Sequence, residues 1–215
     1  MKILAVQSRM GIGDTVIFLP FIKALSKKFN SPISILVKEN SKANQYLHQT
    51  KYIDKILTLE RDNKTNNRHG GFFGIFKLAN DLKKYKFDKI FIFNSSLRFN
   101  LVAKISGIPK IYQYPLFTKN KQHIIETPKK FLKENLHLDI NEDPEVQIDT
   151  DLISKAAQKF QIDKNTTNIL LGIGGSGPTK RIPAKTFLNV IDKISKKKNA
   201  DFFLQQVRQR KNRNY

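Results

Sequence analysis

Cysteine is absent from all 215 residues, and acids are scarce for a chain of this length. Without cysteine there are no disulfides and no thiolate-held metal. The four histidines (His48, His69, His123, His137) are scattered with no ligand spacing, so no metal site and no resident cofactor are expected. Long apolar runs are also missing, none reaching the ~18 residues that a membrane span needs. The first apolar stretch follows a single Lys2 and is interrupted by Gln7 and Arg9, which does not fit a secretory leader. A cytoplasmic protein is the simplest expectation.

The shortage of acids sets the charge: 18 Asp+Glu against 39 Lys+Arg, a net +21. Such a chain is attracted to polyanions, whether nucleic acid or an anionic membrane face. The lysines are spread along it, as in Lys27-Lys28, Lys83-Lys84, Lys129-Lys130 and Lys196-Lys197-Lys198. Many fall where helices should end and so complement the helix dipole. Spread charge makes solvated faces rather than a nucleic-acid groove, and no specific nucleic-acid partner is expected.

What is present is strongly patterned. The run Lys2-Ile3-Leu4-Ala5-Val6 reads as a buried strand and Gly11-Ile12-Gly13-Asp14 as a turn. An amphipathic helix should then run from Val16 through Leu25 to Phe29. Gly11 and Gly13 allow a sharp turn and close approach of a ligand to the backbone. Asp14 falls beside helix-start amides and the positive end of the dipole, where it fits either an N-cap or a general base. Neither nucleotide motif is met: Val16 stands where a dinucleotide fingerprint needs its third glycine, and the turn has no P-loop lysine.

Further along, Ile33 to Val37 and Lys55 to Leu59 read as strands, with helical spacing of Ala43, Tyr46 and Leu47 between them. Residues 60–71 have no core-forming side chain and read as a polar loop carrying Arg61, Lys64, Arg68 and His69. A helix from Phe72 to Tyr85, a strand through Phe93, a helix from about Leu97 to Ile105 and a short strand at Ile111 to Tyr114 follow. The stretch from Thr118 to His137 includes a helical patch, 141–145 is a polar connector, and Asp149 to Phe160 suits a further helix. This alternation predicts an α/β fold with a mostly parallel, Rossmann-like sheet, which binds ligands at the carboxyl ends of its strands.

Near the end, a strand from Asn168 to Gly174 runs into Gly175-Ser176-Gly177-Pro178-Thr179-Lys180-Arg181-Ile182-Pro183 and then a helix. Ser176 and Thr179 offer hydroxyls, Lys180 a cation and the helix start its amides, a combination suited to phosphate. Pro178 stands where a P-loop needs lysine, and an ordinary basic connecting loop is the plain alternative.

Three segments together resemble the heptosyltransferases, glycosyltransferase family nine: the opening with its Gly11-Ile12-Gly13-Asp14 turn, the strand from Phe87 to Phe93 with Arg98 and Ala103 to Ile108 beyond it, and Lys180-Arg181-Ile182-Pro183. The last matches the family's Lys-x-Trp-Pro except that Ile182 replaces tryptophan. The resemblance implies a two-domain GT-B transferase that moves a heptose from an ADP-sugar to the lipopolysaccharide core with inversion. It implies Asp14 as the catalytic base, Ser176, Thr179 and Lys180 at the donor phosphates, and Arg61, Lys64, Arg68 and Arg98 on the acceptor side. The implied partners are a nucleotide-sugar donor, a phosphorylated lipid-linked sugar acceptor and the anionic cytoplasmic face of the inner membrane.

The organisation expected is an acceptor-side domain over 1–150, the start of a nucleotide-sugar domain over 151–204 and a basic, disordered tail over 205–215. One strand, one helix and part of another strand cannot close a sheet. The family's Asp-Ser/Thr-Gly motif is missing, so a truncated or frameshifted member of this enzyme family is expected. Two readings compete with the enzyme: a chain that keeps acceptor affinity only, and a polyanion binder driven by charge.

Overall fold

The structure, a computed structural model, describes residues 1–8, 11–61, 67–116, 123–174 and 181–205. Its contacts divide the chain into two compact units, Met1–Ile148 and Asp149–Tyr215.

The first unit is built on five strands: β1 (Ile3–Gln7), β2 (Ile33–Lys38), β3 (Ile53–Leu59), β4 (Lys89–Ile92) and β5 (Lys110–Gln113). They pair in the order β3-β2-β1-β4-β5, parallel throughout. Parallel strands need crossovers, supplied here by α1 (Ile12–Ile17), α2 (Leu19–Phe29), α3 (Phe73–Lys83) and α4 (Leu97–Ile105), while α5 (Glu126–Leu136) follows the last strand. A central strand covered on both faces should be apolar at every position, and β1 is buried from end to end. Its side chains alternate between two cores. Ile3 and Ala5 join the cluster of α2 and α5, with Phe21, Leu25 and Phe131; Leu4 and Val6 join that of α3 and α4, with Leu78, Leu82 and Val102.

The amphipathic run after the first turn is two helices rather than one. Pro20 has no amide hydrogen, and its ring would strike the carbonyl of Val16 in a continuous helix. The chain therefore stops at Ile17 and restarts at Leu19, with Pro20 in the new first turn. The spacing of Ala43, Tyr46 and Leu47 produces two short 3₁₀ turns, Glu39–Ser41 and Ala43–Gln45, separated by left-handed Lys42. The connector over 141–145 is polar but clamped: Glu142 pairs with Lys23 at 3.0 Å and with Lys27, and Tyr52 donates to the Glu145 carbonyl at 3.4 Å.

The second unit holds α6 (Thr150–Lys159), β6 (Thr167–Gly172), α7 (Ala184–Ser195) and β7 (Ala200–Gln205). The two strands pair in parallel, Thr167 opposite Ala200 through Gly172 opposite Gln205. None of the unit's described residues is buried. Leu170 is 65% exposed, Leu188 64% and Phe160 56%, as befits layers with too few neighbours to cover them.

Candidate active site at the strand switch point

In an open parallel sheet a cleft forms where consecutive crossovers leave in opposite directions, outside the carboxyl ends of the strands. Here that point lies between β1 and β4, because β2 is added on one side of β1 and β4 on the other. The Asp14 turn follows β1 and the segment Asn94-Ser95-Ser96 follows β4, so both occupy it. A hydrogen bond ties the two turns: Asn94 Nδ2 donates to Ser8 Oγ at 3.2 Å.

The first turn is organised around Gly11, whose φ of +115° is one that a side chain would oppose. Gly11 is the N-cap of α1, and no side chain caps that helix. The capping alternative for Asp14 therefore does not hold: it is the third helical residue, inside the first turn and half-buried. Among the described residues none gives its carboxylate a hydrogen bond or ion pair. The backbone around it is fixed instead. Gln7 Nε2 donates to the Asp14 carbonyl at 3.3 Å, and Thr15 Oγ1 donates to the Gly11 carbonyl at 3.1 Å. Gly13 is exposed and its Cβ position has nothing within 4 Å, which leaves the approach to the turn open.

The other side of the cleft is not legible in the sequence. Asn94 Oδ1 accepts the Ser96 amide at 2.9 Å. Gln113 at the end of β5 donates to the carbonyls of Asn94 at 3.1 Å and Ser96 at 2.9 Å, and accepts from Asn100 at 2.9 Å. These amide side chains brace the β4–α4 turn, which Asn94 ties to Ser8 just beyond the end of β1. Their only sequence signal is a polar cluster directly after an apolar strand.

The cationic residues divide. Arg68 donates to Asp81 Oδ1 at 2.7 Å, and Arg98 donates to the carbonyls of Gly71, at 2.7 Å, and of His69. Arg61 is half-buried just beyond β3. Lys64 lies outside the described residues, as do Ser176, Thr179 and Lys180 of the second unit. Arg68 and Arg98 thus hold the end of the 60–71 loop, which corrects its reading as a stretch with no core residue. His69 is 3% exposed, its Nδ1 accepting the Glu60 amide and its Nε2 meeting Asp81 Oδ2, each at 3.1 Å. Burial pushes the Asp81 carboxyl up, but the hydrogen bonds from His69 and Arg68 outweigh it and hold the group below its ordinary value.

No family model matches the chain, and no curated protein does. Solved structures do match. The glycosyl transferase family 9 protein from Veillonella parvula superposes with a TM-score of 0.74 at 18% identity, over 94% of this chain and 62% of its own. E. coli ADP-heptose lps heptosyltransferase II gives 0.65 at 16%, over 95% and 64%. E. coli heptosyltransferase WaaC with ADP-2-deoxy-2-fluoro heptose gives 0.62 at 13%, over 97% and 70%. This chain thus spans less than two thirds of the first two. Its fold is the Rossmann-like α/β fold of the GT-B glycosyltransferases, as found in glycosyltransferase family 9 and heptosyltransferase structures.

Proposed function

We propose that the chain is the acceptor-side part, with the beginning of the donor-side part, of an inverting glycosyltransferase that moves a heptose from an ADP-sugar to a phosphorylated, lipid-linked core sugar. The observation that carries this reading is the position of Asp14: a half-buried carboxylate in a helix first turn at the switch point of a parallel sheet, relieved of capping by Gly11. There it can take the proton from an acceptor hydroxyl, whose oxygen then attacks the anomeric carbon while the nucleoside diphosphate leaves from the opposite face.

Two features support the rest. The similar structures include an ADP-heptose transferase and one bound to an ADP-heptose analogue. In the second unit the sequence Ser176 to Lys180 precedes α7 and supplies hydroxyls, a cation and helix-start amides to a diphosphate, so the departing charge is neutralised by protein groups. The acceptor being lipid-linked, the protein works at the cytoplasmic face of the inner membrane, which its net +21 suits. A specific observation also favours the reading in which this chain binds acceptor without turning it over: no described residue of the donor-side unit is buried.

Calorimetry with a lipid A-linked core acceptor and with ADP tests the proposal. Saturable acceptor binding that survives Asp14→Asn supports it, with or without ADP binding. Absence of acceptor binding by a folded chain overturns it.

A further inference from the structure

Three phenylalanines that nothing in the site uses stand on the outside of α3. Phe72 is 69% exposed, Phe73 76% and Phe76 47%, and they cluster on one another, with ring centroids of Phe72 5.9 Å from Phe73 and 5.7 Å from Phe76. Beside them on α4, Leu97 and Leu101 are 45% and 38% exposed at one-turn spacing. The two helices pack together in one core and run in the same direction, since each leads out of one parallel strand and into another. Their N-terminal halves, and hence these five side chains, lie toward the carboxyl edge of the sheet, the edge that carries Asp14. Exposed aromatics in a group mark an interaction surface, and a folded chain does not leave them in water without cost.

The charge around them identifies the occupant. Between residues 72 and 110 there are eight Lys+Arg and two Asp. Both acids are engaged: Asp81 by His69 and Arg68, and Asp88 by the Lys2 amide at 2.6 Å. Lys77 and Lys104 are exposed on the same two helices, and Lys83 and Lys84 follow at the far end of α3. Among the described residues of α3 and α4, the outer face grades from aromatic at the carboxyl edge to basic toward the opposite end with no uncompensated negative group, the arrangement by which a helix face enters the interface of an anionic bilayer. We infer that the Phe72-Phe73-Phe76 cluster, with Leu97 and Leu101, is the membrane-docking surface of this protein, its phenyl rings inserting among anionic lipid headgroups and the lysines of α3 and α4 pairing with them. It rests on the proposed lipid-linked acceptor only for its purpose. A surface docked there would bring the Asp14 edge toward the bilayer in which such an acceptor is anchored.

The chain has no tryptophan, so Phe73→Trp supplies a single fluorophore in the cluster, and Phe160→Trp one in the second unit as control. Vesicles of phosphatidylglycerol and phosphatidylethanolamine, without any acceptor, should shift the Phe73→Trp emission to the blue, and brominated lipids should quench it. The Phe160→Trp emission should stay unchanged. Binding should weaken as salt rises from about 50 to about 500 mM. Phe72→Ser with Phe76→Ser should weaken it about tenfold or more at fixed salt, because the apolar contribution goes with the rings. A Phe73→Trp emission indifferent to vesicles overturns the inference. So does a shift that follows protein concentration without lipid, which would make the cluster a contact between copies, and so does equal quenching of both reporters. Asp14→Asn should bind vesicles like the unaltered chain. Vesicle binding without acceptor binding would remove the transferase reading and leave the docking surface standing.

Discussion

Gly11 and Asp14 face each other across the first turn of α1: a Cβ on Gly11 would stand 3.5 Å from Asp14 Oδ2. The glycine that caps the helix is thus also a direct neighbour of the carboxylate. Gly11→Ala should cost about 1–3 kcal/mol, because φ of +115° strains any side chain. Thermal melts would measure this. The same substitution should reduce acceptor affinity or transfer by straining the turn that carries Asp14, whereas Gly13→Ala, with open space at its Cβ, should do neither.

Asp81 joins the 60–71 loop to α3 through His69 and Arg68. Asp81→Ala leaves the buried Nε2 of His69 without its carboxylate, which should destabilise the first unit by about 1–3 kcal/mol in urea titrations. The acid side follows in sign. The carboxyl is held below its ordinary 3.8 in the folded chain, so its stabilisation is present above that value and is lost as pH falls through the lower folded value. The acid limb of the stability curve should therefore be shallower in Asp81→Asn than in the unaltered chain.

Tyr52 should mark the alkaline limit. Burial, with the nearby charges of Glu145 and Glu142, pushes its phenol up to about 12 from the ordinary 10.0. Because the folded value is the raised one, the contribution is complete below about 10 and disappears as pH climbs toward 12. Ultraviolet titration should find late-ionising tyrosine among the six, and Tyr52→Phe should reduce that component.

Hydrogen exchange should separate the two units. Amides of β1 and β4 are paired within a sheet covered on both faces, while those of β6 and β7 belong to two strands with no buried residue. Local opening follows the apolar contacts that resist it. Exchange in β6 and β7 should therefore be at least about a hundredfold faster than in β1, and equal protection would show that the second unit is better packed than its exposure implies.

Particular residues show what can be read from the chain alone. The alternation of Ile3, Leu4, Ala5 and Val6 between two cores is written in an uninterrupted apolar run, and the helix from Leu97 to Ile105 has the bounds its pattern suggests. The place of Asp14 in a helix first turn beyond a buried strand is legible in the glycine turn before it. The break at Phe18 is hidden because the hydrophobic spacing continues across it while Pro20 does not permit the helix to. His69 looks like a loop residue since its partners, Glu60 and Asp81, lie 9 and 12 residues away. Asn94 and Gln113 come together only when β4 and β5 pair, so no local window holds their relationship.

The central claim is that Asp14 takes the proton from the acceptor hydroxyl. Transfer of heptose from ADP-heptose to a lipid-linked core acceptor, followed by mass spectrometry with a full-length relative that carries the aspartate matching Asp14 and with its Asp→Asn variant, tests it most directly. Product is expected from the unaltered full-length relative, with a rate at least about 100-fold lower once an amide replaces that carboxylate, the usual worth of a positioned base, while acceptor affinity changes little. Transfer undiminished in the Asp→Asn variant would contradict it.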